Sequence, residues 1–255
     1  MIGSWAFEMA HLRNAFDERL DEIEAYLAFL DGIEQLVREG TPRLGDAGPV
    51  ITAQQQKILY SSVYLQLYNL VEATITKCLG AVCTAAMHGE RWKPGDLSSE
   101  LRKEWVRFTA RTHAPLTEQR RLECVFELVE HLVLALPVTK LKVEKGGGSW
   151  DDKMIEGVTK RIGLRLDISE PVFQGIKRRI RNDKGALALI AELRNALAHG
   201  SLSFAECGQG VLVAELRDLR NKTSLYLGEI VDAFEVWIAS YEFLEPRCRP
   251  AVDAA

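Results

Sequence analysis

The chain has 255 residues, of which 47% are hydrophobic and 27% are charged, and its formal net charge is -4 at pH 7. This length allows one large domain or two small ones with a buried core, and the composition is that of an ordinary globular protein. The negative charge excludes a globally basic nucleic-acid binder, so any contact with phosphate must come from a local patch.

The sequence shows no signal for export or membrane insertion. No uninterrupted apolar run reaches the roughly 18 residues of a membrane span, and the first residues lack a basic start followed by an apolar block. The five cysteines are scattered and odd in number: Cys78, Cys83, Cys124, Cys207 and Cys248. Cys78 and Cys83 fall inside an apolar helical pattern, which predicts core packing, and no Cys/His spacing is that of a zinc site. We therefore expect a cytoplasmic protein that takes no metal or other cofactor.

Apolar spacings of three and four residues predict helices throughout the first half of the chain. The first helix is expected at 16–37, and the glycines and prolines of 38–50 end the pattern. A second helix, from about 53 to 87, is apolar almost all round, which is typical of the centre of a bundle. Shorter helices are expected at about 98–109 and 117–136.

The second half of the chain predicts shorter elements. In chain order these are a flexible connection at 138–150, helices at 151–164, 170–182 and 186–199, a small hairpin over 201–216, and a last helix at 223–244. The acidic residues that open 151–164 suit the positive end of a helix dipole. Since strands and helices do not alternate regularly, the predicted fold class is all-α, a helical bundle in a single domain over 1–255.

The segment ELRNALAHG, residues 192–200, places an arginine, an amide and an imidazole at the end of an apolar helix. At about 100° per residue, one stripe of this helix is apolar and is expected to face the core. The stripe consists of Ala186, Leu189, Ile190, Leu193 and Leu197. The opposite side carries Asn195 and His199, which are four residues apart and stack on one face. Arg194 lies roughly 140° from His199 and flanks that face.

The back face of this helix is lined by small residues, which indicates a partner surface. Ala188, Ala191 and Ala198 would let a second helix approach closely, such as the same helix of another copy about a two-fold axis. His199 lies in the last turn before Gly200, which can cap the helix, and an imidazole at such a position is a candidate for acid–base chemistry. Spacing alone also allows a plain helix-end histidine beside a surface arginine.

Two further groups are candidates for function. The segment KRRIRNDKG, residues 177–185, is either a patch that contacts nucleic-acid phosphate or a solvated helix face. Its cations are Lys177, Arg178, Arg179, Arg181 and Lys184. Glu72, a carboxylate on the central helix, is expected either in a salt bridge or as the group that orients Arg194 or His199, and Asn69 on the same face is a candidate for that role. The remaining histidines are interpreted as surface or helix-end residues: His11, His88, His113 and His131.

The ordered set of these segments resembles the HEPN domain family. LRNALAHG is similar to the R-x(4–6)-H signature of that family, with Arg194, Asn195 and His199 in the matching positions. The wider resemblance is to the stand-alone prokaryotic HEPN nucleases first typed from cyanobacterial proteins. It includes FDERLDEIEAYLAFLDGI, LYSSVYLQLYNLVEATITKCLGAV with its YNLVEA core, GGGSWDDKMIEGVTKRIGL, RNALAHGSLSFAECG and the closing helix. The resemblance covers roughly 16–244, and 90–116 looks like a locally variable insertion.

This resemblance implies an all-α bundle that dimerises through its motif helices and cleaves RNA, without a metal, in a composite cleft. It implies that His199 acts as general acid or base, that Arg194 stabilises the charge on the phosphorane, and that Asn195 positions the phosphate or the histidine. The implied product is a 2′,3′-cyclic phosphate. The implied biological role is a toxin or defence effector, restrained by an antitoxin or another protein from a neighbouring gene, with no membrane partner.

Two alternatives remain at this stage. The first is a non-catalytic HEPN interaction protein that keeps the bundle but binds RNA, a nucleotide or a protein partner without cleaving, because fold does not fix function. The second is a metal-dependent nuclease, which the sequence disfavours since no carboxylates lie at ligand spacing near the motif.

Overall fold

The computed structural model describes residues 3–45, 47–112 and 114–250, with side chains from residue 12 onward. In these residues the fold is built from α-helices, so the all-α prediction is confirmed. The helices are α1 (Gly3–Glu39), α2 (Ala53–Met87), α3 (Ser99–Thr109), α4 (Glu118–Val133), α5 (Asp152–Ile162), α6 (Glu170–Lys177), α7 (Ala186–Ala198), α8 (Phe204–Cys207) and α9 (Val213–Ala239). The β-pairing in this part of the chain is limited to three isolated bridges.

The helix α2 lies at the centre of the bundle, as predicted, and packs against α1, α7, α8 and α9. It begins at a capping box, in which the Thr52 side chain accepts from the Gln55 amide and the Gln55 side chain accepts from the Thr52 amide. One side of α2 is nevertheless open, because Asn69, Thr76 and Gly80 are exposed. This open side is where the candidate site forms.

By length and composition, residues Ala53–Glu90 could cross a membrane, the one such stretch in the described residues. However, 56% of its most apolar window is buried inside the fold. A central bundle helix surrounded by other helices has this same character.

The segment that resembles an insertion contributes directly to the core. Leu97, Leu101 and Trp105 are each at most 1% exposed. The Ser98 amide donates to the carbonyl of Phe243, so the segment is tied to the end of the chain. The described residues of 90–116 therefore contribute to the core of the bundle.

The connection at 138–150 was expected to be flexible, but it is held in place by the fold. Leu141 and Val143 are buried, and Arg161 of α5 donates to the carbonyl of Glu144 at 2.6 Å. The same arginine makes two hydrogen bonds, of 3.2 and 2.9 Å, to Glu104, which is 3% exposed and also pairs with Arg107. Since a buried carboxylate without cations would be costly, this cluster fixes the connection to α3 and α5.

The hairpin predicted over 201–216 is wrong. Ser203 and Glu206 form a capping box that starts the short helix α8 instead. The Gly208 backbone then lies so close to α2 that a Cβ there would come within 2.0 Å of the Lys57 carbonyl oxygen. The helix α9 begins at Val213, ten residues before the predicted start, and ends at Ala239 instead of 244.

Two other helix boundaries differ from the predictions by five residues or more. The helix α1 begins at Gly3 instead of 16, and α6 ends at Lys177 instead of 182. Asn182 and Asp183 take left-handed φ values of 52° and 57°, which these residue types tolerate, and they close a tight turn. The second half of the basic segment is therefore a turn, not a helix face.

Candidate active site

The motif helix α7 presents its apolar stripe to the core as predicted. Every residue of the predicted stripe is buried: Ala186, Leu189, Ile190, Leu193 and Leu197. The helix ends in a Schellman motif, in which the Gly200 amide donates to the Leu197 carbonyl and the Ser201 amide donates to the Ala196 carbonyl. Gly200 has φ 71°, and His199 is the C-cap residue. The backbone that carries His199 is thus defined by the cap.

Arg194 is held on three sides by its own chain. Its Nη2 donates to Glu72 Oε2 of α2 at 3.3 Å, and its Nη1 donates to Asn195 Oδ1 at 2.8 Å. The guanidinium also lies over the ring of Tyr68, with Cζ at 3.6 Å from the centroid, a cation–π contact. The side chain is 27% exposed, so one edge of the cation remains open to a ligand.

Asn195 links the motif to the connection before α5. Its Nδ2 donates to Ser149 Oγ at 2.7 Å, while its Oδ1 accepts from Arg194. The next residue, Trp150, is 3% exposed and donates its backbone amide to the hydroxyl of Tyr68 at 3.2 Å. Tyr68 and Ser149 therefore belong to the site, although neither was singled out from the sequence. Both lie in segments that carry the family resemblance, YNLVEA and GGGSW.

His199 has a different environment from Arg194. It is exposed, and among the described residues its side chain has no hydrogen bond or ion pair. Within one chain, therefore, the arginine is fixed and the imidazole is open to solvent or to a partner.

The alanine face of α7 is only partly available to a partner. Ala191 is 6% exposed and is covered by its own bundle, and Ala188 is half-buried, which corrects the prediction of a continuous partner surface. Ala198 and His199 at the end of the helix are exposed. The open surface is thus the last turn of the helix, where the motif ends.

Glu72 forms the predicted salt bridge, and its partner is Arg194. Its side chain is 46% exposed, so it is not the buried charge that the sequence suggested. Asn69 is exposed and, within the described part of the chain, has no side-chain hydrogen bond. The structure brings Glu72 to the motif and does not do so for Asn69.

Most of the basic segment is engaged in ion pairs. Lys177 pairs with Asp152 and Glu156, Arg179 with Asp183, and Lys184 with Glu192. Partial burial lowers the pKa of Lys177, but the hydrogen bonds and charges of Asp152 and Glu156 outweigh burial, and its pKa is raised.

Arg178 and Arg181 have no acidic partner among the described residues. They line a cleft of about 450 Å³ beside α9, together with Tyr64 and Asp218. This cleft lies at the start of α7, so the helix, at 1.5 Å per residue, separates it from His199 by roughly 20 Å.

A second groove begins at the motif. It has a volume of about 640 Å³ and runs from Glu72 between the open side of α2 and the segment 141–146. Lys142 and Lys145 lie along it, and the Lys145 ammonium is 5.0 Å from the centre of the Trp150 ring. Two ammonium groups therefore line a groove that opens next to Arg194, and that of Lys142 is paired with Glu144 at 3.3 Å.

The two cysteines that the sequence predicts to lie in the core are buried there. Cys78 and Cys83 are 0% and 7% exposed, as predicted for core residues, and all five cysteines are free. Burial raises the pKa of the Cys83 thiol to about 11, so this group is protonated near neutrality. In the described residues, no group of three or more His, Cys, Asp and Glu side chains could hold a metal ion.

The remaining histidines lie away from the motif where they are described. His88 is exposed beyond the end of α2, and His131, in the last turn of α4, packs edge-on against the ring of Trp105. Both match the prediction of surface or helix-end residues. His113 and the side chain of His11 lie outside the described residues.

An all-α bundle with an R-N-x(3)-H motif at the end of an inner helix is the arrangement of a HEPN domain. The family model for HEPN_MAE_28990-like HEPN matches residues 9–243. The chain therefore belongs to this HEPN family. Neither the curated proteins nor the solved structures provide a match to the chain. The HEPN domain family is generally associated with ribonuclease activity.

Proposed function

We propose that the protein is a metal-independent endoribonuclease of the HEPN type. The strongest support comes from the different environments of the two motif residues, Arg194 and His199. Arg194 is held by Glu72, Asn195 and Tyr68, and the helix that carries it ends with an exposed His199 that has no side-chain partner among the described residues. A fixed cation can stabilise the phosphorane and an accessible imidazole can transfer protons, the two tasks that assist phosphodiester cleavage by the 2′-hydroxyl.

In the proposed reaction, His199 takes the proton from the RNA 2′-hydroxyl, and the 2′-oxygen attacks the adjacent phosphorus. The P–O5′ bond then breaks, a protonated imidazole returns a proton to the leaving 5′-oxygen, and a 2′,3′-cyclic phosphate remains. Arg194 stabilises the additional negative charge of the phosphorane, where a preorganised cation contributes most. Asn195 holds the guanidinium through Oδ1, which gives it a positioning role.

We further propose that each cleft is composite. Arg194 faces α2, whereas His199 lies about 140° away around the helix axis and is open to solvent. A second copy that packs on the last turn of α7 would place its own histidine beside the fixed arginine. The groove with Lys142 and Lys145 would receive the RNA backbone on the far side of Glu72.

The biological role proposed for such a ribonuclease is that of a cytoplasmic toxin or defence effector. An unrestrained ribonuclease would damage the RNA of its own cell, so a partner protein from a neighbouring gene would have to restrain it. The exposed last turn of α7 is the surface that such an antitoxin would have to cover.

The proposal is tested by incubating purified protein with single-stranded RNA in EDTA. We expect wild-type protein to cleave and to leave 2′,3′-cyclic phosphate ends, and Arg194→Ala and His199→Ala to lose cleavage. The matched control is His88→Ala, which removes an exposed histidine outside the motif and should cleave like wild type.

Equal activity in wild type and both motif variants would refute the proposal. Tight RNA binding by wild type without turnover would favour the non-catalytic interaction protein instead. Cleavage that disappears in EDTA and returns with a divalent ion would indicate the metal-dependent alternative.

A further inference from the structure

The helix α4 is attached to the bundle along a narrow strip and is open elsewhere. Cys124 is buried, Leu128 is half-buried, and His131 packs on Trp105. The opposite face is apolar and carries seven large side chains that are between 44% and 75% exposed. These are Leu122, Val125, Phe126, Val129, Leu132 and Val133 of the helix and Leu134 directly after it, which together we call the α4 seam.

The α4 seam is larger than an ordinary surface patch. Side chains of these sizes and exposures present roughly 700 Å² of apolar surface, whereas the largest patch on a typical monomer is about 300–600 Å². A stable interface of standard size takes about 800 Å² from each partner. The seam alone thus comes close to one half of a stable interface.

The spacing within the seam identifies the shape that fits it. Leu122, Val125, Val129 and Leu132 follow the three-and-four alternation of a coiled-coil seam up to the end of the helix at Val133. A stripe of this kind packs against another helix with the same spacing, by knobs-into-holes contacts. In the described part of the chain, the exposed apolar residues of the other helices do not form a continuous stripe of this length.

We propose that the α4 seam is a self-association surface that binds the α4 helix of a second copy of this chain. The two helices run antiparallel about a two-fold axis near the middle of the seam, because this arrangement covers both ends of the stripe at once. It also places Arg121, which has no acidic partner among the described residues, beside the carbonyl end of the partner helix. That end carries partial negative charge and favours a cation.

This interface is separate from the motif helix and does not depend on the proposed function. The helix α4 packs against α3 and the turn at Pro94–Asp96, whereas α7 packs against α2, α6, α8 and α9. A protein that pairs through α4 and also through the end of α7 therefore has two isologous contacts on different faces. Such a chain forms assemblies larger than a dimer.

Sedimentation equilibrium of the full chain tests the proposal. The seam variant is Leu122→Glu with Leu132→Glu, and the matched control is Leu212→Glu with Leu225→Glu, two leucines of similar exposure outside the seam. We expect the seam variant to halve the mass of the wild-type assembly and to raise its dissociation constant at least about 100-fold, since the introduced charges would be buried without partners within the contact. The control should keep the wild-type mass.

Disulfide trapping gives a second measurement that does not depend on how well the seam variant folds. Val129→Cys, in the middle of the seam, should form a linked dimer under mild oxidation, whereas Glu127→Cys, on the other side of the helix, should not. The proposal would be overturned if the wild type and the seam variant had equal mass, or if Val129→Cys formed no disulfide-linked dimer. The α4 seam would then have to bind a different partner.

Discussion

At the scale of single residues, Arg194 has the strongest combination of contacts around the motif. A planar guanidinium can donate to Glu72 and Asn195 while its face lies on Tyr68, and a lysine ammonium could not make all three contacts. The cation is therefore preorganised before any ligand arrives. Preorganisation matters because a transition-state charge is stabilised only by groups that need not move to meet it.

We predict that Glu72→Gln lowers kcat for RNA cleavage by about 10- to 100-fold, because a misplaced cation loses its alignment with the phosphorane. The KM should change much less, since the arginine is still present to attract phosphate. Both side chains are partly exposed, so the free energy of unfolding should fall by less than about 1 kcal/mol. Single-turnover kinetics and urea unfolding measure the two effects.

Glu24→Gln is the matched control for this substitution. Glu24 is 41% exposed and pairs with Arg217 and Arg220 between α1 and α9. It should show a similar small loss of stability with unchanged kcat. If Glu24→Gln and Glu72→Gln reduce cleavage equally, the effect of Glu72 is general and not one of positioning.

Gly200 gives a second prediction at this scale. Its φ of 71° is unfavourable for a residue with a Cβ, so Gly200→Ala should destabilise the protein by about 1 kcal/mol and loosen the cap that carries His199. Nothing lies within 4 Å of a Cβ at this position, so the cost is conformational. Gly32→Ala, in the exposed interior of α1 with the same free space, should instead stabilise by about 0.5–1 kcal/mol. Differential scanning calorimetry would show the opposite signs, and a shift of the same sign in both would contradict the assignment.

At the scale of elements, the site around Arg194 is formed by three segments that are far apart in the sequence. The helix α2 supplies Tyr68 and Glu72, the connection before α5 supplies Ser149, and α7 supplies Arg194 and Asn195. The ion-pair cluster at Glu104 and the buried side chain of Trp150 help to hold this connection in place. The connection at 138–150, which the sequence predicts to be flexible, is therefore an ordered part of the site.

The basic turn after α6 gives a prediction at this scale. Arg178→Gln with Arg181→Gln removes the two cations that have no ion pair, so it should weaken RNA binding without loss of stability. If both contact phosphate, the slope of log K against log salt should fall in magnitude by about 1.4 for single-stranded RNA. Fluorescence anisotropy with the His199→Ala protein, which prevents turnover, measures that slope.

The matched pair at the same turn is Lys177→Gln with Lys184→Gln. These lysines are tied to Asp152, Glu156 and Glu192, so their loss should lower stability and leave the salt slope nearly unchanged. An unchanged slope in the arginine variant would show that the turn does not contact RNA. The groove lined by Lys142 and Lys145 would then be the remaining candidate for binding the RNA backbone.

At the scale of the whole molecule, a composite cleft makes a prediction that a one-chain site does not. A mixture of Arg194→Ala and His199→Ala proteins, each inactive alone, should recover activity after subunit exchange. Half of the dimers would be mixed and one of their two clefts would be intact, so the recovery should be about a quarter of wild type. A cleavage assay on the equilibrated mixture measures it.

The control mixture combines Arg194→Ala with the double variant Arg194→Ala, His199→Ala, which leaves no intact arginine in any cleft. Recovery in the control mixture would indicate contamination. Failure of the first mixture to recover, with subunit exchange demonstrated, would place Arg194 and His199 of one chain in the same cleft.

The sequence by itself determined the class of fold, the apolar stripe of α7 and the motif residues. The fold class and the stripe follow from local periodicity and residue type, because a helix with a one-sided apolar stripe has only one way to face a core, whereas the motif residues stand out through the resemblance to the HEPN family. The Ser203 and Glu206 pair of the capping box is also present in the local sequence. The apolar residues on either side of it, however, favour strands when the sequence alone is considered.

Only the tertiary structure decided what surrounds the motif. Tyr68 and Ser149 reach Arg194 and Asn195 from 126 and 46 residues away, and no local pattern encodes such contacts. The ion pairs that occupy most of the basic turn, and the open side of α2, likewise depend on which elements pack together. Periodicity predicts which face of a helix is apolar, but the α4 seam shows that packing decides whether that face is covered.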